Sequence, residues 1–220
     1  MKTLSLTLVF VFSSLSGAFA QNQHQWNVGA ASSVITPEEP MYMAGYGGRT
    51  TPSEGTETDL FAKVLYLEAA NSGTGLIITL DVLGTDKTFG DDLCKRLKAE
   101  LKLDRNQIAI CSSHTHSGPV VGKNAAALHY WTLNKNQQQA LDAYEETLKQ
   151  KIIAAAVEAK TNTVPARVQT GSGKSTFAIN RRNNKPEATV PEMRERGTLV
   201  GPVDHDVPVL TARDKEDKVI

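Results

Sequence analysis

The segment from Thr74 to His116 constrains the fold most. It reads "TGLIITLDVLG", then charged residues interspersed with Leu93, Leu97 and Leu101, then "NQIAICSSHTH". The first run is continuously apolar, the pattern of a strand buried on both faces. Leucines recurring every fourth residue between Thr88 and Leu103 predict an amphipathic helix that covers a sheet. The third run returns to strand character. A strand, a helix and a strand within about forty residues predict a parallel crossover.

Other elements group around this unit. "WNVGAASSVITP" predicts an opening strand ended by Pro37, and "LFAKVLYLEAA" a second strand. Between them, "EEPMYMAGYGGRTTPSEGTETD" is a Gly-, Pro- and Thr-rich loop of a length that signals function or disorder. Asn134 caps a long packing helix through "QQQALDAYEETLKQKIIAAAVEAK", with Leu141, Tyr144, Leu148, Ile152 and Ala155 on one face. "ARVQTG", "STFAIN" and "VPVLTARD" predict further strands, with a polar loop from Arg181 to Asp204. There is no internal repeat. The expectation is an α/β or α+β domain, a layered sandwich of mixed β-sheets flanked by α-helices, with two sheets allowed because strands outnumber helices. "LTARDKEDKVI" reads as a strand, a turn and the first residues of another strand, so the chain is expected to be incomplete at its C-terminus.

Lys2, the apolar "LSLTLVFVFSSLSG" and "AFA" form a secretory leader cut after Ala20, its apolar core being too short for a bilayer span. Residues 21–220 are therefore expected to be secreted or periplasmic. Loss of Lys2 changes 24 basic against 24 acidic side chains into 23 against 24, and the two signs are interleaved, which excludes a nucleic-acid partner. No stable transmembrane segment is expected, only transient contact with a membrane surface. Cys94 on the helix and Cys111 in the strand are expected to be two buried thiols, not a disulfide, and neither has the spacing of a redox or zinc motif.

Chemistry concentrates at "SSHTHSGPVVG". Residues two apart on a strand share a face, with Cβ atoms about 6 to 7 Å apart. His114 and His116 would then converge on one zinc ion, or one would bind it while the other faces substrate, or both would merely cap the strand and bond to neighbouring carbonyls. Ser117-Gly118-Pro119 ends the strand at the carboxyl edge of a parallel pair, where α/β sheets build their sites. Asp81 ends the other apolar run and is a ligand, an orienting partner or a turn-former. Arg181 and Arg182 close "AINRR", where a guanidinium can reach a carbonyl or carboxylate. His24 lies beside the leader, His129 reads as packed or surface, and His205, between two acids, as a loop salt bridge. "TGSGKST" is not a phosphate loop, because Val168 stands where the motif needs glycine; a Gly-rich bend between strands is expected.

In order, "VGAASSVITP", "MAGYGGRTTPSEG", "IITLDVLG", "SSHTHSGP", "AINRR" and "GPVDHDVPVLTARD" resemble the N-terminal catalytic domain of the neutral/alkaline non-lysosomal ceramidase family, in its shorter bacterial branch. The resemblance spans nearly all of residues 21–220 and rests most on "HTHSGP". It implies a zinc-activated water that hydrolyses the amide of ceramide or a related N-acyl lipid. It further implies His114 as a zinc ligand, His116 against the reacting amide and Arg181 holding substrate. The family's remaining ligands, a histidine, a glutamate and a tyrosine, are expected after Ile220, so residues 21–220 alone are expected to lack amidase activity. Two other readings stay open: a zinc hydrolase of the same fold acting on another polar amide or ester, and a non-catalytic extracellular binding module.

Overall fold

The computed structural model describes residues 26–70 and 72–220. The expected leader and His24 lie outside them. The described elements are β1 (Trp26–Val34), β2 (Phe61–Ala69), β3 (Gly73–Leu80), α1 (Lys87–Leu101), β4 (Ile108–Ser112), α2 (Lys135–Thr161), β5 (Val164–Lys174), α3 (Val190–Glu195) and β6 (Asp206–Arg213). The strands form one six-stranded mixed sheet in the order β4-β3-β2-β1-β5-β6. The fold is α/β, and the crossover is as expected: β3 and β4 pair in parallel, with Leu76 opposite Ile108 and Leu80 opposite Ser112. The other joints are antiparallel.

Local chemistry sets the helix limits. The Asp86 carboxylate accepts from the Phe89 amide to start α1, and Lys102, at φ 63°, ends it in a left-handed turn whose amide returns to the Lys98 carbonyl. Asn134 and Gln137 exchange bonds in a capping box at the head of α2. Both helices share one core with the sheet, in which Val64, Tyr66, Leu76, Ile78 and Leu80 meet Leu93, Leu97, Leu148 and Ile152.

That one-sided packing corrects the reading of β3. Leu76, Ile78 and Leu80 are buried, but Ile77 is half-buried and Thr79 exposed, because α1 and α2 both lie against the same face. The described residues therefore make one sheet and one helical layer, where two sheets had been allowed. For the same reason Cys111, on edge strand β4, is exposed; Cys94 is buried, and both thiols are free. "TGSGKST" is also read differently: Thr170 to Lys174 continue β5, with Gly171 opposite Val209 and Gly173 opposite Val207, and "STFAIN" is not a strand. The ladder to β6 absorbs both glycines, so no bend is needed.

Between α1 and α2 the Lys149 ammonium lies within 2.8 Å of Asp92 and 3.0 Å of Glu145, and Arg96 bonds Asp92 at 3.0 Å. Lys149 is buried. The carboxylates keep its ammonium charged, with a pKa above the ordinary lysine value, although burial alone would lower it. Among the described residues no helix is long and apolar enough to cross a membrane.

β1 lies close against α2 at Gly29, where an added Cβ would lie 1.9 Å from the Ala159 carbonyl oxygen. Backbone, not a yielding side chain, occupies that space. Gly29→Ala is expected to cost about 1–3 kcal/mol, read as a lowered urea midpoint with an unchanged m-value.

Candidate functional site

Parallel pairing brings the exits of β3 and β4 to one rim, where the Ser113 amide donates to the Leu80 carbonyl at 3.0 Å. β4 ends at Ser112, so His114 and His116 do not stand on a strand as the sequence predicted. They converge through a turn. His114 adopts φ 59°, a left-handed conformation uncommon for residues with a side chain. Thr115 Oγ1 accepts from the Ser117 amide at 3.1 Å and closes the turn. The two imidazole centroids lie 5.3 Å apart, with ring planes at 68°.

The His114 ring is held by its neighbour. Its Nδ1 lies 2.7 Å from the Leu83 carbonyl oxygen. A carbonyl only accepts, so Nδ1 carries a proton, and in the neutral tautomer this assigns, the Nε2 lone pair is left available. This is how protein zinc ligands are commonly oriented, one ring nitrogen bonded to a backbone carbonyl and the other toward the metal. The ring is exposed, so Nε2 can be approached. A left-handed backbone at a side chain fixed this way is the kind of strain that collects at functional sites.

A second segment walls in His116. Residues 42–44 run beside 118–120: the Ala44 amide donates to the Gly118 carbonyl at 2.9 Å, and the Val120 amide to the Tyr42 carbonyl at 3.1 Å. Gly45 follows at φ 105°, and an added Cβ would lie 2.4 Å from His116 Cγ. Only glycine satisfies both the backbone angle and the contact. Tyr46 then meets His116 edge-on, with centroids 4.8 Å apart at 78°, and the Arg49 guanidinium lies 5.0 Å over the tyrosine ring. Gly118 permits the opposite close approach, since a Cβ there would be 3.0 Å from the Asp81 carbonyl oxygen and 3.3 Å from Thr115 Cγ2.

The remaining sequence candidates take separate places. The Asp81 carboxylate accepts from the Phe61 amide at 3.0 Å, while the Asp81 amide donates to the Phe61 carbonyl at 3.0 Å; this closes the β2–β3 pairing at the rim. Arg181 lies in the exposed loop after β5 and is paired with Glu187. That carboxylate raises the guanidinium's pKa. Asn184 braces this loop: its fully buried amide donates to the Asn180 carbonyl at 2.7 Å and the Val200 carbonyl at 2.8 Å, and accepts from the Val200 amide. Among the described residues His205 has no salt-bridge partner; its Nε2 lies 3.2 Å from the Ala178 carbonyl oxygen, which offers no charge to pair.

His129, read from sequence as packed or surface, is buried beside the site, where Nε2 accepts from the Gly45 amide at 3.3 Å. Burial first, then Arg49 and His116, push its pKa below the ordinary histidine value. "ALHYW" carries no signal for this, because the partner lies 84 positions away. Among the described residues, no group of three or more His, Cys, Asp or Glu is placed to hold a metal.

Residues 26–220 match a family model described as neutral/alkaline non-lysosomal ceramidase, N-terminal. Two solved structures, a neutral ceramidase from Pseudomonas aeruginosa and a ceramidase complexed with C2, each align with a TM-score of 0.67 at 21% identity. The alignment covers 89% of this chain and 30% of each of those chains. The structural likeness shows a shared fold and, at that identity, nothing finer. No curated protein is similar enough in sequence to match.

Two outcomes follow from this geometry. Asp81→Ala should lower stability by about 1–3 kcal/mol through the orphaned Phe61 amide, measured by thermal melting, while the His114 ring resonances stay in place. His129 has a depressed folded pKa, so its contribution is complete above the unfolded value of about 6.5 and is lost as pH falls toward the folded one. A pH series of denaturation midpoints should show wild type losing this increment on acidification and His129→Gln lacking that step.

Proposed function

The chain belongs to the neutral/alkaline non-lysosomal ceramidase family, and from that premise we propose that it forms the histidine-bearing part of an exported zinc hydrolase that cleaves the amide of ceramide or a related N-acyl lipid. The observation that carries the reading is the state of His114: held by Leu83 through Nδ1, strained in backbone, and exposed with Nε2 available beside a second imidazole. His114 would hold the zinc together with donors that the described residues do not supply. When bound, zinc supplies Lewis acidity and lowers the pKa of its water to about 7.

The chain's own residues position and polarise. His116, half-buried between Gly45 and Tyr46, is restricted to a narrow range of ring orientations. From there its imidazole can donate a hydrogen bond to the amide oxygen as negative charge develops on it, or pass a proton to the leaving amine. Arg181 has a permanently charged fork on an exposed loop, suited to a polar headgroup once Glu187 releases it. Asp81 takes no part in bond making in this reading; its carboxylate is committed to the Phe61 amide.

The test separates the two histidines in the protein as its gene encodes it. His114→Ala should lose bound zinc by elemental analysis and cleavage of a fluorogenic ceramide together. His116→Ala should keep its zinc and lose about 10²–10³ in kcat, the range for removing one donor to a developing oxyanion. Unchanged zinc content in His114→Ala would remove that residue from the metal site and the reading with it.

A further inference from the structure

The peptide between Ala44 and Gly45 is held at both polar ends by side chains, one from its own loop and one 84 positions away. Its carbonyl accepts from Arg49 Nη1 at 2.7 Å, and its N–H donates to His129 Nε2 at 3.3 Å. Gly45 Cα is the surface on which the His116 ring rests, as the 2.4 Å approach of an added Cβ to His116 Cγ shows. The orientation of this one peptide therefore decides how far the wall behind His116 stands from it.

We propose that His129 is a positioning residue of the His114–His116 site. Its neutral imidazole, opposite Arg49, clamps the Ala44–Gly45 peptide and so fixes the ring orientation of His116 without touching substrate or metal. Geometry supplies the argument. Nε2 accepts, so the ring proton is on Nδ1 and the ring is uncharged; burial and the nearby Arg49 charge favour that form. His129 is placed for this task by its own segment: its amide donates to the Ala126 carbonyl, its carbonyl accepts from Thr132 Oγ1 at 2.7 Å, and Tyr130 beside it bonds Asp142 of α2 at 2.9 Å. A chain of contacts thus runs from α2 through His129 and the Gly45 peptide to His116. Arg49 adds the other restraint, since it also lies over the Tyr46 ring that meets His116 edge-on. Sequence gives no hint of the clamp, because Gly45, Arg49 and His129 are read there as loop, loop and spare histidine.

Only the kinetic part of the test rests on the hydrolase reading. His129→Phe fills the space without an acceptor; His129→Gln replaces Nε2 with an amide oxygen at similar reach. In His129→Phe, hydrogen exchange in a peptide spanning Gly45 should quicken about fivefold, the loss of one ordinary hydrogen bond, and the His116 ring resonances in a ¹⁵N-histidine spectrum should move while those of His114 stay. His129→Gln should restore both. Unaltered Gly45 exchange and His116 resonances in His129→Phe would overturn the proposal. So would an equal quickening of β3 amides, which marks general loosening, or a Gln variant that behaves like Phe. If His129→Phe does not fold, Arg49→Met frees the other end of the peptide and must shift His116 in the same way; an unmoved His116 there also overturns it. In the amidase assay, His129→Phe should lower kcat about tenfold or more with KM and zinc affinity near wild type. Wild type without amidase activity counts against the hydrolase reading, and the exchange and resonance arms still decide the clamp.

Discussion

The parallel bond between β3 and β4 at Leu80 and Ser113 is the constraint from which the rest of the site follows. Two strands that run the same way leave the sheet on the same side, so both connecting segments compete for the space above one rim. After β3 the chain turns through Asp81 and Leu83 toward α1; after β4 it reverses at His114. Leu83 is then within reach of His114 Nδ1 only because the strands end level, Leu80 opposite Ser112. Antiparallel pairing would send the two exits to opposite ends and separate the carbonyl from the imidazole.

Close backbone approach is the second condition. Gly118 lets the turn after the histidines lie against Asp81 and Val82, and Gly45 lets the preceding loop lie against His116. These glycines act from opposite sides of the same turn. A side chain at either would push the imidazoles away from one of their supports, so the loop around Gly45 belongs to the site as much as the histidines do.

Elements with a local cause were legible in the sequence. α1 and α2 follow from leucine spacing and from Asn134 as a cap, and the parallel crossover from a strand, helix and strand of short span. Readings that depended on what covers a surface failed: continuous apolarity in β3 promised burial on both sides, but both helices pack on one face, leaving Thr79 and Cys111 exposed. The glycines of "TGSGK" look like a bend until β6 supplies a partner for each. At the candidate site, His114 and His116 were singled out by type and spacing, whereas their geometry was not legible. Strand periodicity cannot anticipate a left-handed residue at His114, and no local pattern joins His129 to Gly45.

Rigidity around these histidines is unevenly distributed, and the distribution has chemical sense. His114 is fixed by one short bond to a backbone carbonyl that belongs to the sheet's own exit, so its direction is set by the core. His116 is fixed by packing against a loop, and that loop is held by the short backbone bridge of residues 42–44 to 118–120 and by the side chains of Arg49 and His129. A group that holds a metal needs one invariant direction. One that donates to an oxygen as charge develops on it must be preorganised, which packing against a clamped loop supplies. The difference in how the two rings are anchored therefore matches the division of labour that the hydrolase reading assigns to them.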